Sequence, residues 1–189
     1  MLPLSSMTAI FGGSFNPPHM GHQMAVLYLL EALDFREVWL APTFVHPLGK
    51  QHVSWEHRLA MCYAMVGCFG ERVRVLSTEA DLVKHGSEGR TIHLVDALQR
   101  EHPDKKFTLI LGSDTREQRH LWHRWDDIEA KVEVLYLARA GFPDPNAAPL
   151  ALPDVSSTWV RSRLAAGHMP RGLVPSKVLD YIREHGLYC

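Results

Sequence analysis

Short apolar runs alternate with segments of helical periodicity along this chain, and this alternation limits the fold more than any other feature. Because short strands that are apolar throughout are buried on both faces, the pattern predicts an α/β protein whose parallel sheet is covered by helices on both faces. Strands are predicted over residues 8–11, 37–41, 72–76, 107–111 and 131–137. Helices are predicted over residues 20–33, 55–68, 91–101, 158–166 and 175–185, and a polar loop over 79–89. In the first helix, Met24, Leu27, Leu30 and Leu33 recur at helical spacing and are expected to form its apolar face.

Length and charge limit the class of protein. A chain of 189 residues is expected to form a single domain over 1–189, with an N-terminal extension over 1–7 and a C-terminal helical segment over 155–189. The 20 Lys and Arg residues against 21 Asp and Glu residues give a net charge of -1. A nucleic-acid partner is therefore not expected, because phosphate backbones require a basic surface. A membrane partner is not expected either, since no apolar run reaches the roughly 20 residues that span a bilayer.

The cysteines indicate the compartment. Cys62, Cys68 and Cys189 fit neither a disulfide framework nor a metal-binding CxxC pair. We therefore expect a cytoplasmic protein, with Cys62 and Cys68 buried on a helix. The sequence leaves a homo-oligomer open.

The first functional segment, residues 12–22, reads GGSFNPPHMGH and joins the first strand to the first helix. Ligands of parallel sheets bind at the carboxyl ends of the strands, and glycines at that edge let the backbone approach a phosphate. His19 and His22 share one face of a helix start, where their N–H groups and the helix dipole favour an anion. Gly21 is expected to let a base or ribose lie against this helix. A pair of surface histidines without function is the alternative.

The second functional segment, residues 155–161, reads VSSTWVR. Ser157 or Thr158 is expected to cap the helix that follows, and Arg161 lies one turn further on the same side. Hydroxyls, helix N–H groups and a guanidinium would then converge on one anion. An ordinary capped helix is the alternative.

Together these segments resemble two signatures of the nucleotidylyltransferase superfamily, GG[ST]F[DN]PxHxGH and ISSTxIR. The bacterial nicotinate mononucleotide adenylyltransferase family is the most similar branch, and the similarity extends through LILGSD (109–114), LWHRWDDI (121–128), LARAGFP (137–143) and the C-terminal residues 172–188. The resemblance implies a Rossmann-like fold. It also implies transfer of the adenylyl group of ATP to the 5′-phosphate of nicotinate mononucleotide, which gives a dinucleotide and pyrophosphate in the synthesis of NAD.

The resemblance also implies which residues bind ATP. His19 and His22 would act at the α-phosphate, while Ser157, Thr158 and Arg161 would hold the two phosphates that leave. The catalytic residues would be His19, His22 and Arg161, and ATP would also contact Gly12, Gly13, Ser14, Phe15, Gly21, Ser156, Ser157, Thr158 and Arg139. Because no carboxylate cage is visible, Mg²⁺ is expected to be carried by the ATP phosphates and water rather than by protein ligands.

The acceptor segments depart from the family pattern. Arg90 replaces the Tyr of a Ser-Tyr-Thr segment, and it either binds a carboxylate or phosphate or points to solvent. Trp122 would stack on the pyridine ring, whereas Trp125 suits the core. Asp114 is expected to bond ribose, water or backbone. The residues predicted to bind the acceptor are His46, Lys50, Arg58, Arg90, Thr91, Asp114 and Trp122.

Two alternatives stay open. The first is an enzyme of the same fold with a different phosphorylated acceptor, such as nicotinamide mononucleotide or phosphopantetheine, or with CTP as the donor. The second is a nucleotide-binding regulatory protein without catalysis, which the intact pair of segments disfavours. The other histidines show no HxxxH or HExxH spacing for zinc, although His93 is expected to line the pocket if the helix at Thr91 opens there.

Overall fold

One parallel sheet organises the protein. The computed structural model describes residues 3–44, 53–138, 145–148 and 154–189. Its strands are β1 (Met7–Gly13), β2 (Glu37–Pro42), β3 (Val73–Val75), β4 (Lys106–Gly112) and β5 (Glu133–Leu137). All neighbours pair in parallel, in the order β3-β2-β1-β4-β5. The predicted parallel sheet is confirmed, and the strand order reverses between β1 and β4.

Helices connect these strands. They are α1 (Met20–Glu31), α2 (Trp55–Val66), α3 (Thr78–Lys84), α4 (Thr91–Glu101), α5 (Trp125–Lys131), α6 (Ser157–Ala165) and α7 (Ser176–Glu184). Short 3-10 helices occupy Leu4–Ser6, Gly70–Arg72 and Ser113–Leu121. In the part of the chain that the structure describes, no helix has the length and apolar character needed to cross a membrane.

The two faces of the sheet border separate cores, because successive strand side chains point in opposite directions. Ala9 and Phe11 of β1 face a core that includes residues of α1, α2, α6 and α7. Ile10 faces a second core with α4 and α5. In the sheet register Ile10 lies beside Trp39 of β2 and Leu109 of β4, so a buried row crosses three strands. Helices therefore cover both faces, as predicted.

Two short α-helices, α3 and α5, are absent from the prediction. The predicted loop over 79–89 contains α3, which buries only Glu79 and Ala80 and is too short to show an amphipathic repeat. Gly86 follows this helix with a φ of +89°, a left-handed conformation that closes a helix. The other helix is α5, which ends at Lys131, so β5 begins later than expected.

Three local predictions are wrong. The apolar face expected on α1 included Leu27, which is 50% exposed, while Ala25, Val26 and Leu29 are buried. Cys62 is buried on α2 as expected, but this helix ends at Val66, so Cys68 lies beyond it and is exposed. Met7, assigned to an N-terminal extension, is the first residue of β1.

Candidate active site

The first functional segment forms the loop between β1 and α1. Phe15 has a φ of +46° and is 1% exposed. A Cβ added to Gly13 would lie 3.2 Å from the nearest ring carbon of Phe15, so the ring packs against this glycine. An added Cβ on Gly12 would meet nothing within 4 Å. The end of β1 therefore borders open space that a phosphate can approach, while Phe15, predicted to contact ATP, packs its side chain inward.

The two histidines form a stacked pair at the start of α1. The ring centroids of His19 and His22 are 3.8 Å apart, with 28° between the ring planes. The backbone N–H of His19 donates to Nδ1 of His22 at 3.1 Å. Because a backbone amide can only donate, Nδ1 is the acceptor, and neutral His22 carries its hydrogen on Nε2. Phe15 supports the His22 ring edge-on, with centroids 4.9 Å apart.

Gly21 makes room for close packing within the protein. A Cβ at this position would lie 3.1 Å from ring atoms of His19 and 3.3 Å from a methyl carbon of Val155. The space that we predicted for a base or ribose is therefore occupied by the His19 ring. The glycine lets this ring pack against the first turn of α1.

The second functional segment opens α6, but its cap differs from the prediction. Ser156 Oγ accepts a hydrogen bond from the N–H of Trp159 at 3.2 Å, so Ser156 is the N-cap residue. The expectation that Ser157 or Thr158 caps this helix is wrong because both lie within its first turn. Ser157 is left to bond elsewhere, and its Oγ donates to the carbonyl of Pro17 at 2.8 Å.

Arg161 joins the two functional segments. Its Nη1 donates to the carbonyl of Asn16 at 2.7 Å, and its Nη2 donates to Thr158 Oγ1 at 3.2 Å. Together with Ser157, it attaches the N-terminal half of α6 to the loop that leads into the histidine pair. The two segments predicted to bind the triphosphate therefore meet in space, at the carboxyl edge of the sheet.

Arg58 has a structural position that the sequence did not indicate. It is 2% exposed, and burial lowers the pKa of its guanidinium from the ordinary value. The guanidinium donates to the carbonyls of Ser14 at 3.0 Å, Thr43 at 2.6 Å, Phe44 at 3.3 Å and Val53 at 3.4 Å. The sequence predicts Arg58 at the acceptor phosphate. The structure instead places it beneath the loop, where it satisfies backbone acceptors.

Two of the residues predicted to bind the acceptor, Arg90 and Thr91, lie at the start of α4. Thr91 is the first residue of this helix, and no side chain caps it. The side chain of Arg90 is 41% exposed and forms an ion pair with Glu88 at 3.2 Å. His93 follows within the first turn, with Nδ1 2.8 Å from Ser87 Oγ.

Asp114 and Trp122 lie beyond the end of β4. A Cβ on Gly112 would collide with the carboxylate of Asp114, which therefore folds back over the end of the strand. Trp122 packs edge-on against Trp125, with centroids 5.8 Å apart, beside a surface cavity of about 450 Å³ that both line. Trp125 is 8% exposed, so the core position predicted for it is confirmed. Three further predicted residues, Arg139, His46 and Lys50, lie outside the described residues.

Comparison with known proteins assigns the family. A Cytidylyltransferase-like family model matches residues 10–163. A probable nicotinate-nucleotide adenylyltransferase of Anaeromyxobacter dehalogenans (strain 2CP-1 / ATCC BAA-258) is 43% identical over 180 residues, which are 95% of this chain and 95% of that protein. The corresponding protein of Myxococcus xanthus (strain DK1622) is also 43% identical, over 95% of this chain and 93% of its own length. The chain belongs to the nicotinate-nucleotide adenylyltransferase family.

A solved structure shares the fold of this family member. The Plasmodium falciparum nicotinic acid mononucleotide adenylyltransferase complexed with NaAD superposes with a TM-score of 0.81 at 19% identity, covering 97% of each chain. At this low identity the likeness concerns the fold alone. The Rossmann-like nucleotidylyltransferase fold predicted from the sequence is confirmed.

Two residues at this edge were not predicted. Glu79 of α3 is 9% exposed, and its Oε1 accepts from the N–H of Phe44 at 2.8 Å, directly after β2. Tyr188, near the C-terminus, donates from its hydroxyl to Asn16 Oδ1 at 2.8 Å. Glu79 lies in the segment predicted as a loop, and Tyr188 lies 172 positions from its partner. Neither contact has a local sequence signal.

The described residues contain no group of three or more His, Cys, Asp or Glu side chains placed to hold a metal ion. The groups that the two functional segments bring together are imidazoles, hydroxyls and a guanidinium. Mg²⁺ prefers oxygen ligands, commonly substrate phosphates, waters and carboxylates. This donor set, which consists mainly of N–H groups, therefore suits phosphate oxygens better than a cation.

Proposed function

We propose that this chain transfers the adenylyl group of ATP to the 5′-phosphate of nicotinate mononucleotide, giving deamido-NAD and pyrophosphate. The observation that carries the proposal is the contact of α6 with the histidine loop, made by Arg161 and Ser157. This contact brings the starts of two helices and two imidazoles to one edge of the sheet. Helix N-termini and N–H donors in that arrangement suit a triphosphate. Family membership gives the reaction class, that of a nucleotidyltransferase.

The reaction demands positioning rather than covalent chemistry from the protein. The acceptor phosphate attacks the α-phosphorus, the bond to the β-phosphate oxygen breaks, and pyrophosphate leaves with the electron pair. No general base is required because the attacking phosphate is already deprotonated at neutral pH. We assign His22 Nε2–H and the His19 ring to the charge that develops on the α-phosphate. Thr158, Arg161 and the start of α6 would hold the leaving pyrophosphate.

Mg²⁺ carried by the ATP phosphates would neutralise part of the negative charge that builds up on the leaving pyrophosphate. The acceptor would lie toward α4 and β4, where Thr91, Asp114 and Trp122 are placed. Trp122 offers a flat apolar face for a pyridine ring, and the start of α4 offers backbone N–H groups for a carboxylate. We place the reaction in the cytoplasm, since all three cysteines are free thiols.

The test is pyrophosphate release with Mg²⁺-ATP and a panel of acceptors: nicotinate mononucleotide, nicotinamide mononucleotide and phosphopantetheine. We expect the nicotinate form to be strongly preferred, and CTP to be a poor replacement for ATP. Preference for another acceptor or for CTP would replace the proposed substrate while keeping the reaction class. ATP binding without turnover of any acceptor would instead favour a regulatory nucleotide-binding protein.

A matched pair of variants tests the assignment of the histidines. His19→Ala is expected to lower kcat by about 10²- to 10³-fold, the range seen when a donor to a developing charge is removed. His168→Ala removes an exposed imidazole after α6 and is expected to leave kcat unchanged. Equal kcat values for the two variants would contradict the assignment.

A further inference from the structure

The C-terminus of the chain is tied to the active-site loop. The hydroxyl of Tyr188 donates to Asn16 Oδ1 at 2.8 Å, and Asn16 is 1% exposed. Asn16 lies three residues before His19, inside the loop that joins β1 to α1. The bond therefore connects the second-last residue of the chain to the segment that carries the histidine pair.

The end of α7 fixes the place of Tyr188. The N–H of Leu187 donates to the carbonyl of Ile182 at 3.0 Å, and the N–H of Gly186 donates to that of Arg183 at 3.3 Å. Gly186 has a φ of +57°, so these two bonds form a Schellman motif. Leu187 is buried, which anchors the turn. The tyrosine thus leaves a defined helix end rather than a frayed terminus.

The tyrosine is built to act as a donor. Burial raises the pKa of Tyr188 well above its ordinary value, although the charges of Arg161 and Arg58 act in the opposite direction. Its hydroxyl therefore stays protonated at neutral pH and donates its hydrogen to the amide oxygen of Asn16. In the structure the Oδ1 end of the Asn16 amide faces the tyrosine.

Three backbone carbonyls of the loop between β1 and α1 also accept hydrogen bonds from side chains. The carbonyl of Ser14 accepts from Arg58, that of Asn16 from Arg161, and that of Pro17 from Ser157. Oxygens that would repel a triphosphate are thereby bonded to donors from α2 and α6. Tyr188 supplies the remaining bond, to the only side-chain acceptor in this set.

We propose that Tyr188 is a positioning residue, which acts through Asn16 to hold the loop so that His19 and His22 meet the transition state in the correct geometry. The inference rests on the proposed function for its kinetic consequence. Without the hydroxyl of Tyr188, the buried Oδ1 of Asn16 has no hydrogen-bond donor. Leaving it unpaired costs free energy, so we expect the loop to shift until Oδ1 finds another donor. A shift of this kind changes alignment at the α-phosphate more than it changes the binding of ATP.

The first test compares two tyrosines of the C-terminal segment. Tyr188→Phe is expected to lower kcat by about ten-fold or more, with KM for ATP within about two-fold of wild type. The control is Tyr181→Phe, which removes a hydroxyl that lies 3.0 Å from His57 Nδ1, between α7 and α2. A loss of thermal stability is expected in both variants, but a loss of kcat only in the first. A kcat of Tyr188→Phe within two-fold of wild type, or an equal loss in the control, would overturn the proposal.

A second test asks whether the effect passes through Asn16. In an Asn16→Ala background, Tyr188→Phe is expected to have no further effect on kcat, because its partner is gone. An undiminished loss in that background would refute the proposed route.

A third readout keeps the proposal separate from the proposed substrate. In ¹⁵N-histidine spectra of the whole chain, Tyr188→Phe is expected to broaden or double the signals of His19 and His22, assigned with Gln variants at both positions. Tyr181→Phe is expected to leave these signals unchanged. If the wild-type chain fails to turn over nicotinate mononucleotide, the proposed function fails. The spectra alone then test whether Tyr188 holds the loop that carries His19 and His22. Unchanged signals in Tyr188→Phe would then overturn the inference.

Discussion

Replacing Arg58 by methionine tests whether this buried cation builds the site or binds the acceptor. Methionine keeps most of the length of the side chain while removing the charge and all the donors. Four carbonyls lose a partner, among them those of Ser14 in the histidine loop and Thr43 after β2. If Arg58 bound the acceptor phosphate, the main effect would be a higher KM for the acceptor in a protein of normal stability. Because Arg58 is only 2% exposed, we expect instead a clear loss of stability and little change in the KM for the acceptor.

The magnitude follows from the bonds that Arg58 makes. Two of them are short, at 2.6 and 3.0 Å, and the other two lie at 3.3 and 3.4 Å, near the limit for a hydrogen bond. Each short bond to a charged donor contributes about 1.5–3 kcal/mol, and the substitution also removes the cost of burying the cation. We expect a net loss of about 3 kcal/mol in the free energy of unfolding. In a chain of this size, this lowers Tm by about 6–12 °C.

The assay is thermal and urea unfolding, with kcat and the KM of the acceptor measured on the folded variant. Arg36→Met is the matched control, because the Arg36 side chain is 69% exposed and lies 3.9 Å from Glu37. Its loss should stay below about 0.5 kcal/mol. An Arg58→Met protein with unchanged Tm and a raised KM for the acceptor would refute the structural role of Arg58. It would support the alternative that Arg58 binds the acceptor phosphate.

Three further predictions concern the edges of the site and the sheet. Gly21→Ala is expected to lower kcat at least about ten-fold, since its Cβ displaces the His19 ring; wild-type kcat would contradict this. Ser156→Ala is expected to cost about 1 kcal/mol in urea unfolding through loss of the α6 cap, and an unchanged midpoint would contradict the capping role. Burial raises the pKa of Glu37, but hydrogen bonds led by that from Lys105 outweigh it and leave the pKa lowered. The carboxylate therefore stabilises the fold above its unfolded pKa of about 4.3, and this stability is lost as the pH falls through the folded pKa. Glu37→Gln should lower Tm at pH 7 and lower it by less at pH 3, and an equal loss at both would refute the linkage.

The sequence predicted most of the sheet and the two functional segments because both depend on local patterns. Strands buried on both faces show as apolar runs, and the loop of residues 12–22 shows as glycines and histidines at fixed spacing. Short helices such as α3 cannot be predicted from periodicity, since seven residues contain no repeat of the amphipathic pattern. The apolar face of α1 is not the one that its leucines predict, because Ala25 and Val26 are buried in the core while Leu27 is 50% exposed.

The cap of α6 shows a different limit. Ser156, Ser157 and Thr158 are all good capping residues, so the local sequence cannot choose among them. The choice is made by the carbonyl of Pro17, which takes the hydroxyl of Ser157 into a contact between distant segments. Helix boundaries within such a run of hydroxyl residues depend on a partner that lies 140 positions away.

The two arginines at the loop show why residue type alone did not separate binding from support. Both Arg58 and Arg161 donate to loop carbonyls, yet Arg58 is enclosed by backbone, whereas Arg161 is half-buried on the first turns of α6. A guanidinium that is enclosed can lower the negative potential of the carbonyls but cannot touch a phosphate. One at the edge can do both, since its planar fork offers five N–H donors. Arg58 thus offsets the negative potential of the loop carbonyls, while Arg161 is placed to contact a phosphate. Together they explain how a chain with a net charge of -1 can offer a locally cationic site for a triphosphate.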